Sequence, residues 1–309
     1  MRLLVPFLLT GVALAQTWVS HPSGTSASLR GVSALSATVV WASGTNGTYL
    51  QTTDGGATWR VAVVPGAEQL DFRAVHVVDQ TTVYLSSSGT GDKSRIYKTT
   101  DGGSHWTLQF TNPDPRGFFD AIAFWDARHG IVVGDPVDGQ FVVLTTADAG
   151  EHWQRQRTPA ALPNEGAFAA SGTCLIAMGK REAWFATGGP GAARVFHSID
   201  GGRTWSVAVT PVRNDGASDE TDRIVGAHIE VLPTLAAIVG DIRAGCSNRD
   251  PDPLLCQEGD CGTKAFRMRP GRLGPRSAAI RRNCNIVRLV GRLGVIAADR
   301  DAMLAIRKS

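Results

Sequence analysis

Between residues 17 and 210 the apolar positions fall into short runs, rich in Val, Ile, Phe and Tyr, separated by Gly, Asp and Asn. Runs of this length and punctuation are β-strand signals, and no stretch carries the period of an amphipathic helix. The runs come in sets of four. The first set is LRGVSAL, TVVWASG, GTYLQTT and TWRVAVV; the second is FRAVHVV, TVYLSSSG, RIYKTT and HWTLQF. The third is FFDAIAF, GIVVGD, FVVLTT and HWQRQR; the fourth is GAFAASG, EAWFATGG, RVFHS and TWSVAVT. Four strands per set predict one four-stranded sheet per repeat. Past residue 213 the pattern lapses. The best apolar run there, EVLPTLAAIVGDI at 230–242, is broken by Pro233.

One phrase stands between the third and fourth runs of every set: QTTDGGATW, KTTDGGSHW, TTADAGEHW and HSIDGGRTW. Its aspartates, Asp54, Asp101, Asp148 and Asp200, are spaced by 47, 47 and 52 residues. A period of this size with strand patterning points to propeller blades. An Asp in such a turn accepts backbone N–H bonds across it, and Gly56, Gly103, Gly150 and Gly202 supply the positive φ that other residues resist. Trp59, Trp106, Trp153 and Trp205 open the outer strand, where the ring can pack on the hairpin.

The phrase resembles the Asp-box (BNR) repeat of β-propellers, (Ser/Thr)-x-Asp-x-Gly-x-Thr-Trp. Boxes one and four match at every position, while His105 and His152 stand where Thr is usual. The resemblance implies an all-β propeller of four-stranded blades, with the box as a structural turn on the rim, remote from ligand sites. Four blades are visible over 23–210, and an intact ring has roughly six or seven. TWVSHP (17–22) reads as the end of a box and an outer strand with no inner strands before it. Thr17–Ser20 is therefore expected to close the ring on three strands from the C-terminus.

A more specific resemblance is carried by LRGVSAL…VVWASG…GTYLQTTDGGATW (29–59) and FRAVHVV…VYLSSSG…YKTTDGGSHW (72–106). It is to the photosystem II stability/assembly factor-like family of exported bacterial proteins. It implies a non-enzymatic scaffold that binds a partner protein through an arginine-lined face. Arg30 and Arg73 hold equivalent places in the innermost strands and are the partner-binding candidates, with Asp120 and Ala169 at that place in the third and fourth sets.

Residues 1–15 carry one Arg, an apolar run and a small-x-small end at Ala13-Leu14-Ala15. They read as a secretory signal peptide, too short to span a bilayer, with no following Cys for a lipid anchor. The expectation is export to the periplasm or medium without a stable membrane anchor. Net charge is +3, but residues 16–213 hold 15 Lys+Arg against 16 Asp+Glu, and 214–309 hold 15 against 12. The body is thus close to neutral and gives no support for nucleic-acid binding.

The tail, 214–309, forms a separate segment. All eight Trp and all three Tyr lie at or before Trp205, while thirteen Arg and four of five Cys (Cys246, Cys256, Cys261, Cys284) lie in the tail. Three readings stand open: a disulfide-stapled module, a zinc site with loose spacing and no intervening His, and a slip of reading frame near 217–220. The coincidence of these changes at one point favours the third. The tail is accordingly expected to be irregular.

Asp-boxes also occur in sialidases, which need an arginine cluster, a Tyr nucleophile with a Glu partner, and an acidic proton donor. The Phe/Tyr-Arg-Ile-Pro motif is replaced by SLRGV (28–32), and Tyr49, Tyr84 and Tyr97 sit in repeat strands. The Gly-rich stretches GTGD (89–92) and GGPGAAR (188–194) precede no helix, His76, His129 and His197 are scattered, and Cys174 suits a core position. No catalytic residue, cofactor or metal site is read. The first reading is a scaffold with a protein partner; the alternative is an Asp-box glycoside hydrolase or a carbohydrate-binding propeller with a glycan partner.

Overall fold

The computed structural model describes residues 18–170, 172–189 and 193–210, with side chains from His21 onward, and six further strands between 224 and 307 by their backbone. The segment read as a signal peptide and the four tail cysteines lie outside the described residues.

After β1 (Trp18–Pro22) come four antiparallel sheets in strict chain order. Blade one is β2 (Leu29–Ala34), β3 (Val40–Gly44), β4 (Thr48–Thr52) and β5 (Arg60–Val63). Blade two is β6 (Phe72–Val77), β7 (Val83–Ser87), β8 (Arg95–Thr99) and β9 (Thr107–Thr111). Blade three is β10 (Phe119–Phe124), β11 (Gly130–Val137), β12 (Gln140–Thr146) and β13 (Gln154–Gln156). Blade four is β14 (Leu175–Met178), β15 (Glu182–Thr187), β16 (Arg194–Ser198) and β17 (Ser206–Val209).

The first strand of blade four departs from the sequence expectation. GAFAASG is not a strand: Gly166 exchanges both backbone bonds with Gly188 and makes no other ladder, and the strand begins at Leu175. A run of Ala and Gly has little side chain to pack on a pleated surface, whereas Leu-Ile-Ala-Met does. Ala169 therefore does not occupy the place of Arg30 and Arg73.

Within the tail, strands are described by their backbone alone. A fifth four-stranded sheet comprises β18 (Ile224–Leu232), β19 (Leu235–Ile242), β20 (Gly262–Met268) and β21 (Ala278–Arg281). β18 and β19 pair antiparallel from Ile224↔Ile242 to Leu232↔Leu235, and Pro233, read as breaking the apolar run, lies outside the described residues. The remaining two, β22 (Val295–Ala297) and β23 (Met303–Arg307), join the N-terminus. β1 pairs antiparallel with β23 from Trp18↔Arg307 to Pro22↔Met303, giving the order β1-β23-β22. The closing strand finds C-terminal partners as expected, two of them among the described residues. The innermost strands β2, β6, β10, β14 and β18 neighbour one another in turn, and β22 lies against β2.

The core is a set of layers between blades. Trp41, Tyr49, Phe72, Leu85 and Tyr97 fill the first junction, Tyr84, Ile96, Phe119 and Phe124 the second, and Ile131, Phe141, Phe185 and Phe196 the third. Each junction is sealed by the tryptophan of the later blade: Trp106 stands edge-on to Trp41 and Tyr49, Trp153 to Phe124, and Trp205 to Phe185. Burial of aromatic faces on both sides is what makes neighbouring sheets adhere.

Candidate functional site at the channel mouth

In each blade the third strand runs parallel to the first, because both are antiparallel to the second. The turn that follows the third strand therefore lies at one end of the ring, and the start of every innermost strand lies at the other. At that start, blades one to three share a defect. The ladder skips a residue between Leu29 and Gly31, between Phe72 and Ala74, and between Phe119 and Ala121. The bulged residues are Arg30, Arg73 and Asp120. A bulge adds an unpaired residue and re-aims its side chain, which places these three on the same rung of adjacent blades. Close approach holds the rungs together: a Cβ on Gly31 would lie 3.2 Å from the Arg73 carbonyl oxygen, and one on Gly172 would lie 2.9 Å from Ala74 Cβ.

Side chains complete the mouth. Arg73 Nε donates to Asp71 Oδ2 at 2.7 Å, and its guanidinium lies 5.8 Å from the centre of the Phe118 ring. Asp120 is 2% exposed. Asp135, in β11, accepts the Ala167 N–H at 3.0 Å. Three polar atoms here are buried without a hydrogen-bond partner: Arg30 Nε, Asp71 Oδ1 and Asp120 Oδ2. Burial raises the Asp120 carboxyl well above the usual range; Asp135 raises it further and Arg73 opposes. Burial likewise raises Asp135, against the bond from Ala167. Cys174 is fully buried beside them, and burial, followed by the charge of Asp120, pushes its thiol up, which makes it an inert packing group. No group of three or more metal-ligating side chains exists among the described residues.

No protein-family model matches the chain, and no curated protein does. Solved structures do. YCF48 from Cyanidioschyzon merolae aligns over 95% of this chain and 98% of its own at 13% identity and a TM-score of 0.56. An ancestral GH74 enzyme aligns over 91% of this chain but only 36% of its own, at 15% identity and a TM-score of 0.54. YCF48 bound to D1 peptide covers 94% and 97% at 15% identity and a TM-score of 0.48. Identities this low speak for fold alone. The chain is a β-propeller.

At the opposite end of the propeller lie the four repeated turns. Thr52 Oγ1 donates to Asp54 Oδ1 (2.8 Å) and accepts the Gly56 N–H (2.9 Å), while Thr58 binds the same carboxylate through its N–H (2.9 Å) and hydroxyl (2.6 Å). Asp200 with Ser198 and Thr204 repeats this. His105 and His152 replace the threonine hydroxyl by Nδ1, 2.7 Å from Asp101 and Asp148. A carboxylate only accepts, so Nδ1 carries the proton. The hydroxyl and backbone bonds from Thr58 hold Asp54 at about 2, and the bonds from His152 hold Asp148 at about 2.

These turns also dock on the preceding blade, a role the sequence does not announce. Tyr49 Oη donates to the Gly103 carbonyl at 2.7 Å, and Tyr84 Oη to the Ala149 carbonyl at 2.8 Å. Two of the three tyrosines considered as nucleophiles are thus fasteners between blades, and Tyr97 is packed edge-on against Phe72. Among the residues that sequence reasoning missed are Asp71, Asp135 and Phe118. The Asp-Phe-Arg triplet at 71–73 was the available signal, since alternate strand positions share a face.

Proposed function

We propose that this propeller is a non-enzymatic scaffold of the Asp-box type, resembling the photosystem II assembly factor-like family, and that it holds a partner protein at the channel mouth. The observation that carries the reading is the pair of bulged arginines, Arg30 and Arg73, at equivalent rungs of adjacent blades. Arg30 Nε is buried without a hydrogen-bond partner, and a buried donor left unpaired costs about 1–3 kcal/mol. A carboxylate arriving from a partner would recover that energy and pair with both guanidiniums. The mouth is framed by loops between strands, where a rigid scaffold ordinarily presents its binding groups. The segment read as a signal peptide supports a partner outside the cytoplasm.

The test is co-purification from periplasm and medium with tagged wild type and with Arg30→Glu/Arg73→Glu. A protein recovered with wild type and lost with the double variant supports the reading. The same set recovered with both overturns it. Hydrolysis of glycosides is the second reading, favoured by the Asp120–Asp135 carboxyl pair, whose elevation would suit one member to donate a proton. Release from sialosides and other glycosides that disappears in Asp120→Asn would establish it in place of the scaffold.

A further inference from the structure

We infer that the channel mouth takes a segment of mixed charge, with a carboxylate against Arg30 and Arg73 and a Lys or Arg side chain against Asp120 and Asp135. This rests on the scaffold reading above and specifies what the partner must carry.

The tally of charges is the starting point. Two cations, Arg30 and Arg73, stand at equivalent bulges, and three carboxyls, Asp71, Asp120 and Asp135, lie around Arg73 and Asp120. Asp71 is already committed to Arg73 at 2.7 Å, in a pair that is 28% and 21% exposed. Asp135 has a single backbone donor. Asp120 has no hydrogen-bond partner for Oδ2, although its blade-two and blade-one equivalents are arginines on the same rung. The unmet hydrogen-bonding capacity at the mouth is therefore of both kinds, a donor on Arg30 and acceptors on Asp71 and Asp120. A purely acidic segment would satisfy the donor and be repelled by the acceptors.

The carboxyl pair gains most from an incoming cation. Buried Asp120 and partly buried Asp135 are close enough that Asp135 disfavours the Asp120 anion, and a positive group beside them offsets the repulsion and meets the unpaired acceptor. Asp120 is nearly sealed, so only the tip of a long side chain reaches it, not a backbone. Lys and Arg have that reach, and their aliphatic stems suit a wall containing Phe118. Spacing follows from the blades. The two signs sit on the same rung of adjacent blades, one and two against three, so the basic residue lies a few positions from the acidic one along an extended segment.

The test uses labelled, end-capped dodecapeptides in a Gly/Ser background carrying Glu alone, Lys alone, or both, titrated by fluorescence anisotropy at low ionic strength. Wild type is expected to bind the mixed peptide about tenfold tighter than the acidic one, equivalent to about 1.4 kcal/mol. Asp120→Asn, which keeps the shape of the side chain, should level the two, and Asp120→Arg should invert the order. Equal or tighter binding of the acidic peptide to wild type, or a preference untouched by either substitution, overturns the inference while arginine-dependent binding leaves the scaffold reading standing. Failure of all three peptides to bind overturns both.

Discussion

Gly102 and Gly103 are neighbours in one turn, both with positive φ, +70° and +83°, yet replacing them by alanine should have different consequences. A Cβ on Gly102 would find only the Gln80 carbonyl oxygen at 4.0 Å. A Cβ on Gly103 would lie 2.7 Å from Arg60 Nη2, 2.9 Å from Tyr49 Oη and 3.1 Å from the Trp41 ring. Arg60 can move aside. Tyr49 and Trp41 cannot, being 2% and 0% exposed and locked against Trp106 with ring centres 5.1 and 6.2 Å away. Gly102→Ala therefore carries the left-handed backbone cost alone, about 1–2 kcal/mol. Gly103→Ala adds overpacking of about 1–3 kcal/mol, for a total of about 2–5 kcal/mol. At about 2–4 °C per kcal/mol for a chain of comparable size, the two variants separate clearly in a thermal melt. Urea midpoints provide an independent measure. Equal losses in the two variants would refute the idea that the turn is a docking element between blades, and leave it as a local turn only.

Other consequences can be checked with the same instruments. Partly buried His76 stacks near Phe124 and burial lowers its pKa from 6.5 to about 4. Below pH 6.5 the unfolded chain takes up a proton the folded one refuses, so stability should fall between pH 6.5 and 4, and His76→Phe should flatten that window. A second, lower window belongs to the turn aspartates. Asp54 and Asp148 are held at about 2, as is Asp200, where bonds from Thr204 and Ser198 outweigh the opposing effect of burial. Their contribution is complete above pH 3.8 and is lost as pH falls to about 2, a step that Asp54→Asn should reduce in acid titrations followed by circular dichroism. Glu165 is almost fully buried and binds Arg194, whose Nε donates to it at 2.8 Å. Glu165→Ala should destabilise by about 3–5 kcal/mol, because Arg194 is left buried without its charge partner; a loss below about 1 kcal/mol would show that the pair is solvated. Tyr84→Phe removes one donor to the Ala149 carbonyl, which keeps Lys98 Nζ at 2.9 Å, so the expected loss is only about 0.5–1.5 kcal/mol in urea denaturation.

Local rules account for much of the architecture. Alternating runs of Val, Ile, Phe and Tyr, cut by Gly and Asp, can only bury one face as strands, and their fourfold recurrence makes sheets in series. The four Asp turns were legible for the same reason: each closes on itself through bonds within a few residues, so its geometry is contained in its own sequence. The same logic put Arg30 and Arg73 at matching places. What failed was non-local. GAFAASG shares the spacing of an inner strand, but Gly166 is held by Gly188 and Ala167 by Asp135, which no local pattern encodes. The pairing of Trp18–Pro22 with Met303–Arg307 was anticipated only as a closing strand with C-terminal partners, because its register joins opposite ends of the chain. The bulges at Arg30, Arg73 and Asp120 are misalignments between strands and leave no mark on either one alone. Sequence by itself determined the strands, their grouping and the turns, because each is an interaction of near neighbours. Only the tertiary structure decided that bulged Arg30, Arg73 and Asp120 stand at one rung of adjacent blades, with Asp135 beside buried Asp120, because charge, burial and unpaired atoms there belong to the ring and to no single blade.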